Sequence, residues 1–159
     1  MSRGKQAPKR AIAPDPIYNS QLLAKFINFL MLDGKKSTAQ RIVYNALTIV
    51  KEKTGEEALA TFEKAIDIVR PQVEVRSRRV GGANYQVPMP VQSRRQLALT
   101  FRWLIAASKT RKGKSMAQKL SDEIIDILEG VGATLKKKED VQRMAEANKA
   151  FAHFARFRR

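Results

Sequence analysis

Six separate runs of apolar residues repeat at intervals of three or four positions, and this spacing constrains the fold more than any other feature of the sequence. Residues at that interval share one face of an α-helix, so each run can bury an apolar stripe in a common core. The runs cover residues 22–30, 42–50, 59–69, 97–105, 120–128 and 141–151. They predict an all-α fold, a six-helix bundle-like domain.

Local signals indicate where these helices begin and end. We expect Asp33–Gly34 to close the first helix with a left-handed C-cap, and Pro71 to end the third, because the residue before a proline disfavours helix. Four Ser or Thr residues are followed three positions later by Gln or Glu, the spacing of a capping box at a helix N-terminus. The four pairs are Ser37/Gln40, Thr54/Glu57, Ser93/Gln96 and Ser115/Gln118.

One segment, between the third and fourth runs, alternates in polarity instead of repeating at helical spacing. Residues 73–80 alternate, Gly81–Gly82 supplies a turn, and residues 85–91 are rich in β-branched and aromatic side chains. Pro88 and Pro90 lie two positions apart, so their missing N–H groups both face the unpaired edge of a two-stranded ribbon. We predict a β-hairpin over residues 73–91 that protrudes from the helices.

The same region carries an unusual concentration of positive charge. Residues 75–121 contain eleven Lys or Arg and no Asp or Glu. The whole chain has 31 Lys and Arg against 15 Asp and Glu, for a formal net charge of +16. A surface of one sign attracts a polyanion, so the predicted partner is nucleic acid. Arg95, Arg102 and Lys109 recur every seven residues, which places them on one face of the fourth helix, away from its apolar stripe.

Two further clusters have two interpretations each. Gly34–Lys35–Lys36 is either a phosphate contact or an ordinary solvated turn. Phe151, Phe154 and Phe157 either stack on RNA bases or pack a helix end, and packing is favoured for Phe151.

Enzymatic and metal chemistry find little support in this sequence. Gly113–Lys114–Ser115 imitates the end of a P-loop, but Ser108 stands where that motif needs glycine, and a helix precedes it. Asp122, Glu123, Asp126 and Glu129 are interpreted as the solvated face of the fifth helix. The chain has one histidine and no cysteine. We predict no enzyme, no metal and no cofactor. No apolar run could span a membrane, so we expect a soluble intracellular protein.

Residues 20–46 resemble the N-terminal signature of the universal small-subunit ribosomal protein seven (S-seven) family. The positions that carry the resemblance are Phe26–Ile27, Gly34–Lys35–Lys36, Ile42–Val43 and Ala46. Residues 73–91, 102–124 and 136–154 are similar to the hairpin, the fourth and fifth helices and the last helix of that family. The character is bacterial or organellar.

The resemblance implies a structural, primary rRNA-binding protein that organises the 3′ major (head) domain of the small-subunit rRNA. It implies a place in a cytoplasmic or organellar ribosome. The expected partners are that rRNA, exit-site tRNA, mRNA and neighbouring small-subunit ribosomal proteins, including the protein eleven family. The implied rRNA contacts are Arg3, Lys5, Lys9, Arg10, Lys35, Lys36, Arg76, Arg78, Arg79, Arg94, Arg95, Arg102, Lys109, Arg111, Lys112 and Lys114. The residues implied to face tRNA and mRNA are Arg78, Gly82, Tyr85 and Arg143.

The predicted organisation is one RNA-binding domain over residues 15–154, with a basic arm at 1–14 and a basic tail at 155–159. The alternative function is an architectural DNA-binding protein whose ribbon inserts Pro88 or Met89 as a wedge between base steps. An RNA-processing enzyme is a third class, and it lacks an acid–base constellation here.

Overall fold

The computed structural model describes residues 11–156, which form six α-helices, one two-stranded sheet and a C-terminal 3₁₀ helix. The predicted arm contacts Arg3, Lys5, Lys9 and Arg10, and the tail residues 157–159, lie outside the described residues. The elements are α1 (Gln21–Leu30), α2 (Lys36–Thr54), α3 (Ala58–Val69), β1 (Val73–Val80), β2 (Ala83–Pro90), α4 (Ser93–Thr110), α5 (Met116–Leu128), α6 (Ala133–Ala147) and the 3₁₀ helix (Lys149–Arg156).

The predicted helical architecture, with a hairpin between the third and fourth helices, is confirmed. The bounds of the last helix were predicted wrongly. α6 begins at Ala133 and ends at Ala147, and the chain then continues as a 3₁₀ helix. The cause is a weak apolar signal, since the buried residues of α6 are Thr134 and Ala145, and neither is a large apolar side chain.

The chain divides into two compact units, and the division falls inside α2, between Gln40 and Arg41. In the first unit, α1 begins after Ser20, whose hydroxyl accepts a hydrogen bond from the Leu23 amide at 3.4 Å. α1 ends at an extended C-cap residue, Met31. The left-handed residues Asp33 and Gly34 (φ 52° and 72°) come two positions later. The predicted left-handed cap therefore turns the chain into α2 and does not close α1.

In the second unit α5 contacts α3, α4 and α6. Most of the largest fully buried side chains on these elements are aromatic or branched aliphatic, so burial of apolar surface is the main stabilising term. They include Phe62, Ile66, Phe101, Leu104, Leu120, Ile124 and Ile127.

Only the last of the four predicted capping boxes forms. Ser115 is extended (φ −66°, ψ 158°), its hydroxyl accepts from the Gln118 amide, and the Gln118 side chain accepts from the Ser115 amide. α2 and α4 begin at Lys36 and Ser93, so Ser37 and Ser93 already lie inside their helices. Thr54 is the last residue of α2, and its hydroxyl donates to the Val50 carbonyl at 2.8 Å. A capping side chain must sit on the extended residue just before a helix, and these three do not.

The hairpin matches its prediction closely. Gly81 and Gly82 both have positive φ (57° and 92°), as a two-residue type I′ turn requires. Strand pairing runs from Val80 opposite Ala83 to Val73 opposite Pro90. Hydrogen-bonded and non-hydrogen-bonded pairs alternate from the turn, so Pro88 and Pro90 both fall in non-hydrogen-bonded pairs. Neither proline removes a hydrogen bond between the strands.

Candidate nucleic-acid interface

The outer side of α4 carries exposed cations. Phe101, Leu104 and Ile105 are buried on its inner side. Arg94, Arg102 and Lys109 are exposed and make no ion pair with any described residue, and the same holds for Lys112 in the loop that follows. At about 100° per residue the three helical positions lie within roughly a quarter turn. We call Arg94, Arg102, Lys109 and Lys112 the α4 cationic surface.

The three hairpin arginines do not share one face, because side chains alternate along a strand. Arg76 and Arg78 lie on the face that carries their cross-strand partners, Val87 and Tyr85. Arg79 lies on the opposite face, opposite Asn84, and is exposed. The hairpin therefore presents its charges in two directions.

Glu74 holds the base of the hairpin to α4. This carboxylate is 9% exposed, and it pairs with Arg76 on its own strand and with Arg95 on α4, where Arg95 Nε lies 3.1 Å from Oε2. Glu74 directly precedes residues 75–121, the acid-free segment. Its charge is thus neutralised by two cations from inside that segment. Arg95 is consequently a structural link as well as part of the predicted basic face.

The C-terminal 3₁₀ helix packs against the tip half of the hairpin. The Tyr85 ring lies 5.1 Å from Phe151 and 5.3 Å from Phe154, measured between centroids. Arg78 donates a hydrogen bond to the Phe154 carbonyl at 3.2 Å. The packing predicted for Phe151 is thus present, and Phe154 shares it. Tyr85 is half-buried among these rings, so only part of its surface is open to a partner.

Arg111 lies in the loop between α4 and α5 and is held by two carboxylates. Its Nε and one terminal nitrogen donate to Glu123 Oε2 at 2.9 and 2.6 Å, and it also pairs with Asp126. Glu123 is fully buried, and its Oε1 accepts from the backbone amide and hydroxyl of Thr134 at 2.8 and 2.7 Å. Partial burial lowers the pKa of Arg111, but the hydrogen bonds to Asp126 and Glu123 outweigh it and raise the pKa above its ordinary value.

The interpretation of the α5 carboxylates as a solvated face is wrong for Glu123 and Asp122. The sequence offered no sign that Arg111 and Thr134 would converge on Glu123. Gly132, just before α6, permits the approach: a Cβ there would lie 3.2 Å from Glu123 Oε1 and 3.1 Å from Ile127. A side chain at this position would require Glu123 or Ile127 to shift by a few tenths of an ångström.

Asp122 pairs with Lys114 at 2.6 Å and with Lys53 at 2.8 Å, and its side chain is 13% exposed. Partial burial raises the pKa of this carboxyl, but the hydrogen bonds from the two lysines outweigh it and hold the pKa below its ordinary value. Lys114 is therefore engaged within the protein. Lys109 in the last turn of α4 and Lys112 in the loop remain available to a partner.

The remaining predicted positions are exposed. In the first unit, Lys35 and Lys36 follow the Asp33–Gly34 turn. Gly82 lies at the hairpin tip, and Arg143 is exposed on α6, 3.9 Å from Asp140. Sequence reasoning passed over Lys136, Lys137 and Lys149, which are also exposed; the triplet at 136–138 was visible, but it lies beyond the acid-free segment.

The range 11–156 contains no group of three His, Cys, Asp or Glu side chains that could hold a metal ion. It also contains no helix with the length and apolar character needed to cross a membrane.

Comparison with known proteins gives consistent matches along nearly the whole chain. The family model described as "Ribosomal protein S7p/S5e" matches residues 2–149. The chain is 57% identical over 154 residues to small ribosomal subunit protein uS7 of Nitratidesulfovibrio vulgaris strain DP4, covering 97% of this chain and 99% of that protein. The proteins of the same name from Alcanivorax borkumensis and Alkaliphilus oremlandii are 56% and 55% identical with the same coverage.

Proposed function

We propose, because this chain belongs to the ribosomal protein S7p/S5e family, that it is a structural constituent of the small ribosomal subunit and binds the RNA of that subunit. Its place is accordingly in the ribosome. The relatives named above are bacterial, and the resemblance found in the sequence is of that type. The family is structural and not enzymatic, as the sequence predicted.

One observation supports RNA binding most strongly: the α4 cationic surface has four exposed cations with no carboxylate partner among the described residues. From Arg94 to Lys109 it extends over about 22 Å of helix axis, at 1.5 Å per residue. Cations spread along a rigid helix can contact several phosphates, and folded RNA is recognised largely through its backbone and shape. The interaction needs no chemistry beyond charge neutralisation and fit.

The predicted contacts fall into two groups on structural grounds. Arg79, Arg94, Arg102, Lys109, Lys112, Lys35 and Lys36 are exposed without ion pairs within residues 11–156, so we assign them to rRNA. Arg76, Arg95, Arg111 and Lys114 already have carboxylate partners, and Arg78 has a carbonyl partner. For these five residues an RNA contact stays a prediction. Each side chain would have to leave its partner within the protein, or share its charge between that partner and a phosphate.

The more specific role within the small subunit follows from the family resemblance alone. We propose that the protein organises the head domain of the small-subunit rRNA. We further propose that Gly82 at the hairpin tip, with Arg78, Tyr85 and Arg143, faces exit-site tRNA and mRNA. A neighbouring protein of the protein eleven family is the proposed protein partner. The organisation into arm 1–14, domain 15–154 and tail 155–159 stays a prediction as well.

The alternative of DNA binding by a ribbon wedge has less support. Pro88 and Met89 lie at the base of the hairpin, paired with Val75 and Glu74, while the tip consists of Gly81 and Gly82. An intercalating side chain must reach out from a protruding element, and glycines cannot supply one.

Hydroxyl-radical footprinting of the full chain on small-subunit rRNA tests the proposal. We expect protection concentrated at one multi-helix junction, and we expect excess duplex DNA at physiological salt to leave it intact. Diffuse protection, or loss of the protection when excess duplex DNA is added, would contradict rRNA recognition.

A further inference from the structure

A cleft of about 560 Å³ lies at the base of the hairpin, where residues that follow α3 meet β2, α6 and the 3₁₀ helix. None of its lining residues belongs to the RNA contacts predicted from sequence. Its volume falls in the range of pockets that hold small ligands. The chemistry of its lining determines which ligand it fits.

Part of the lining is apolar and comes largely from proline rings. Pro71, Val73, Pro88, Met89 and Pro90 all line the cleft. Because Pro88 and Pro90 have no N–H, this wall offers few backbone donors and presents the apolar CH₂ groups of the proline rings. Such a wall suits the face of a planar, weakly polar group, which gains free energy by leaving water.

The rest of the lining is polar and mostly cationic. Arg70, Lys138 and Lys149 line the cleft with a single carboxylate, Glu146. Arg70 is paired with Asp67 at 3.1 Å, and Lys138 donates to the Ile68 carbonyl at 2.6 Å, which satisfies the end of α3. Lys149 is exposed and has no ion pair among the described residues. Lys149 is thus the cation best able to accept an anionic group.

Two amide side chains complete the site. Gln72 and Gln142 line the cleft, and Gln142 Nε2 donates to Glu146 at 3.1 Å, which leaves its carbonyl and second N–H available. An amide presents a donor and an acceptor side by side, which matches the edge of a nucleobase.

We propose that this cleft binds one unpaired RNA nucleotide, with the base against the proline and Met89 wall, its edge at Gln72 or Gln142, and its phosphate at Lys149. The inference rests on the proposed RNA-binding function and adds a site for a single exposed base. A base inside a duplex is stacked on both faces and cannot use such a wall, so the nucleotide must come from a single-stranded or bulged segment.

Titration of the full chain with adenosine 5′-monophosphate, followed by NMR, tests the proposal. We expect saturable shifts of the Met89 methyl and the Gln142 side-chain amide, weaker shifts with adenosine, and no Met89 shift with inorganic phosphate. Lys149→Ala should weaken binding roughly tenfold, as loss of one charged hydrogen bond does. Lys136→Ala is the matched control, because Lys136 is an exposed lysine of α6 that does not line the cleft, and it should change nothing.

Three outcomes would overturn the site. The first is a set of shifts spread over the α4 cationic surface with none at Met89. The second is equal affinity for inorganic phosphate, which would indicate a plain anion site. The third is saturation by an acidic peptide and not by the monophosphate, which would indicate a protein partner. None of these outcomes affects rRNA binding itself, which the footprint measures independently.

A competition experiment identifies the source of the nucleotide. If prior binding of small-subunit rRNA blocks the monophosphate, the occupant is an rRNA base. If the cleft stays open in that complex and a short single-stranded RNA then shifts Met89, the occupant comes from mRNA or tRNA. Either result supports the site.

Discussion

Arg111 donates two hydrogen bonds to one oxygen of Glu123, a carboxylate with no exposure to solvent. The other oxygen of Glu123 is bonded to Thr134 at the start of α6. One buried group thereby connects the α4–α5 loop with the first turn of α6. This connection fixes Arg111, the loop residue next to Lys112.

Arg111→Ala should destabilise the fold by on the order of 3 kcal/mol, because removing one partner leaves a buried charge uncompensated. Urea unfolding measures this loss. Lys112→Ala, one position along and exposed, is the control and should cost less than about 0.5 kcal/mol. Equal effects of the two substitutions would show that Arg111 is an ordinary surface residue.

Ser115→Ala should cost about 1 kcal/mol by removing the cap of α5. Ser37→Ala has the same sequence signature but lies inside α2, so we expect a change of a few tenths of a kcal/mol. Thermal and urea unfolding of both variants make the comparison. A loss at Ser37 as large as that at Ser115 would contradict the observed helix starts.

Tyr85→Ala should release the tip half of the hairpin from Phe151 and Phe154. Loss of two ring contacts, each about 0.5–1.5 kcal/mol, should speed amide exchange at residues 78 and 85 roughly tenfold or more. Tyr85→Phe keeps the ring and should exchange at the wild-type rate. Unchanged exchange in Tyr85→Ala would mean that the 3₁₀ helix does not brace the hairpin.

The Asp122 carboxyl predicts a specific pH dependence. Its pKa is lower in the folded protein than its ordinary value of 3.8, so it contributes stability above that pH. That contribution should fade as the pH falls through 3.8 toward the folded pKa. Unfolding measured from pH 7 to pH 3 should show a shallower acid decline for Asp122→Asn than for the wild type. Parallel curves would exclude stabilisation by Lys53 and Lys114.

The sequence predicted features that depend on local rules, including the hairpin with its Gly81–Gly82 turn and the exposed cations of α4. It failed where distant groups decide the outcome. Glu123 looked solvated because nothing local shows that Arg111 and Thr134 converge on it. Ser37 looked like a cap because the motif does not specify where the preceding turn ends. The predicted start of α6 lies too far along the chain, because the buried residues of this helix are small and give a weak apolar pattern.

The decisive measurement is the salt dependence of binding to small-subunit rRNA for the wild type, Arg102→Ala and Lys51→Ala. Each lost phosphate contact lowers the slope of log affinity against log salt by about 0.9 or less. We expect Arg102→Ala to weaken binding and flatten this slope, while Lys51→Ala, which removes an exposed lysine of α2, leaves both unchanged. Wild-type affinity and slope in Arg102→Ala would contradict an RNA-binding role for the α4 cationic surface.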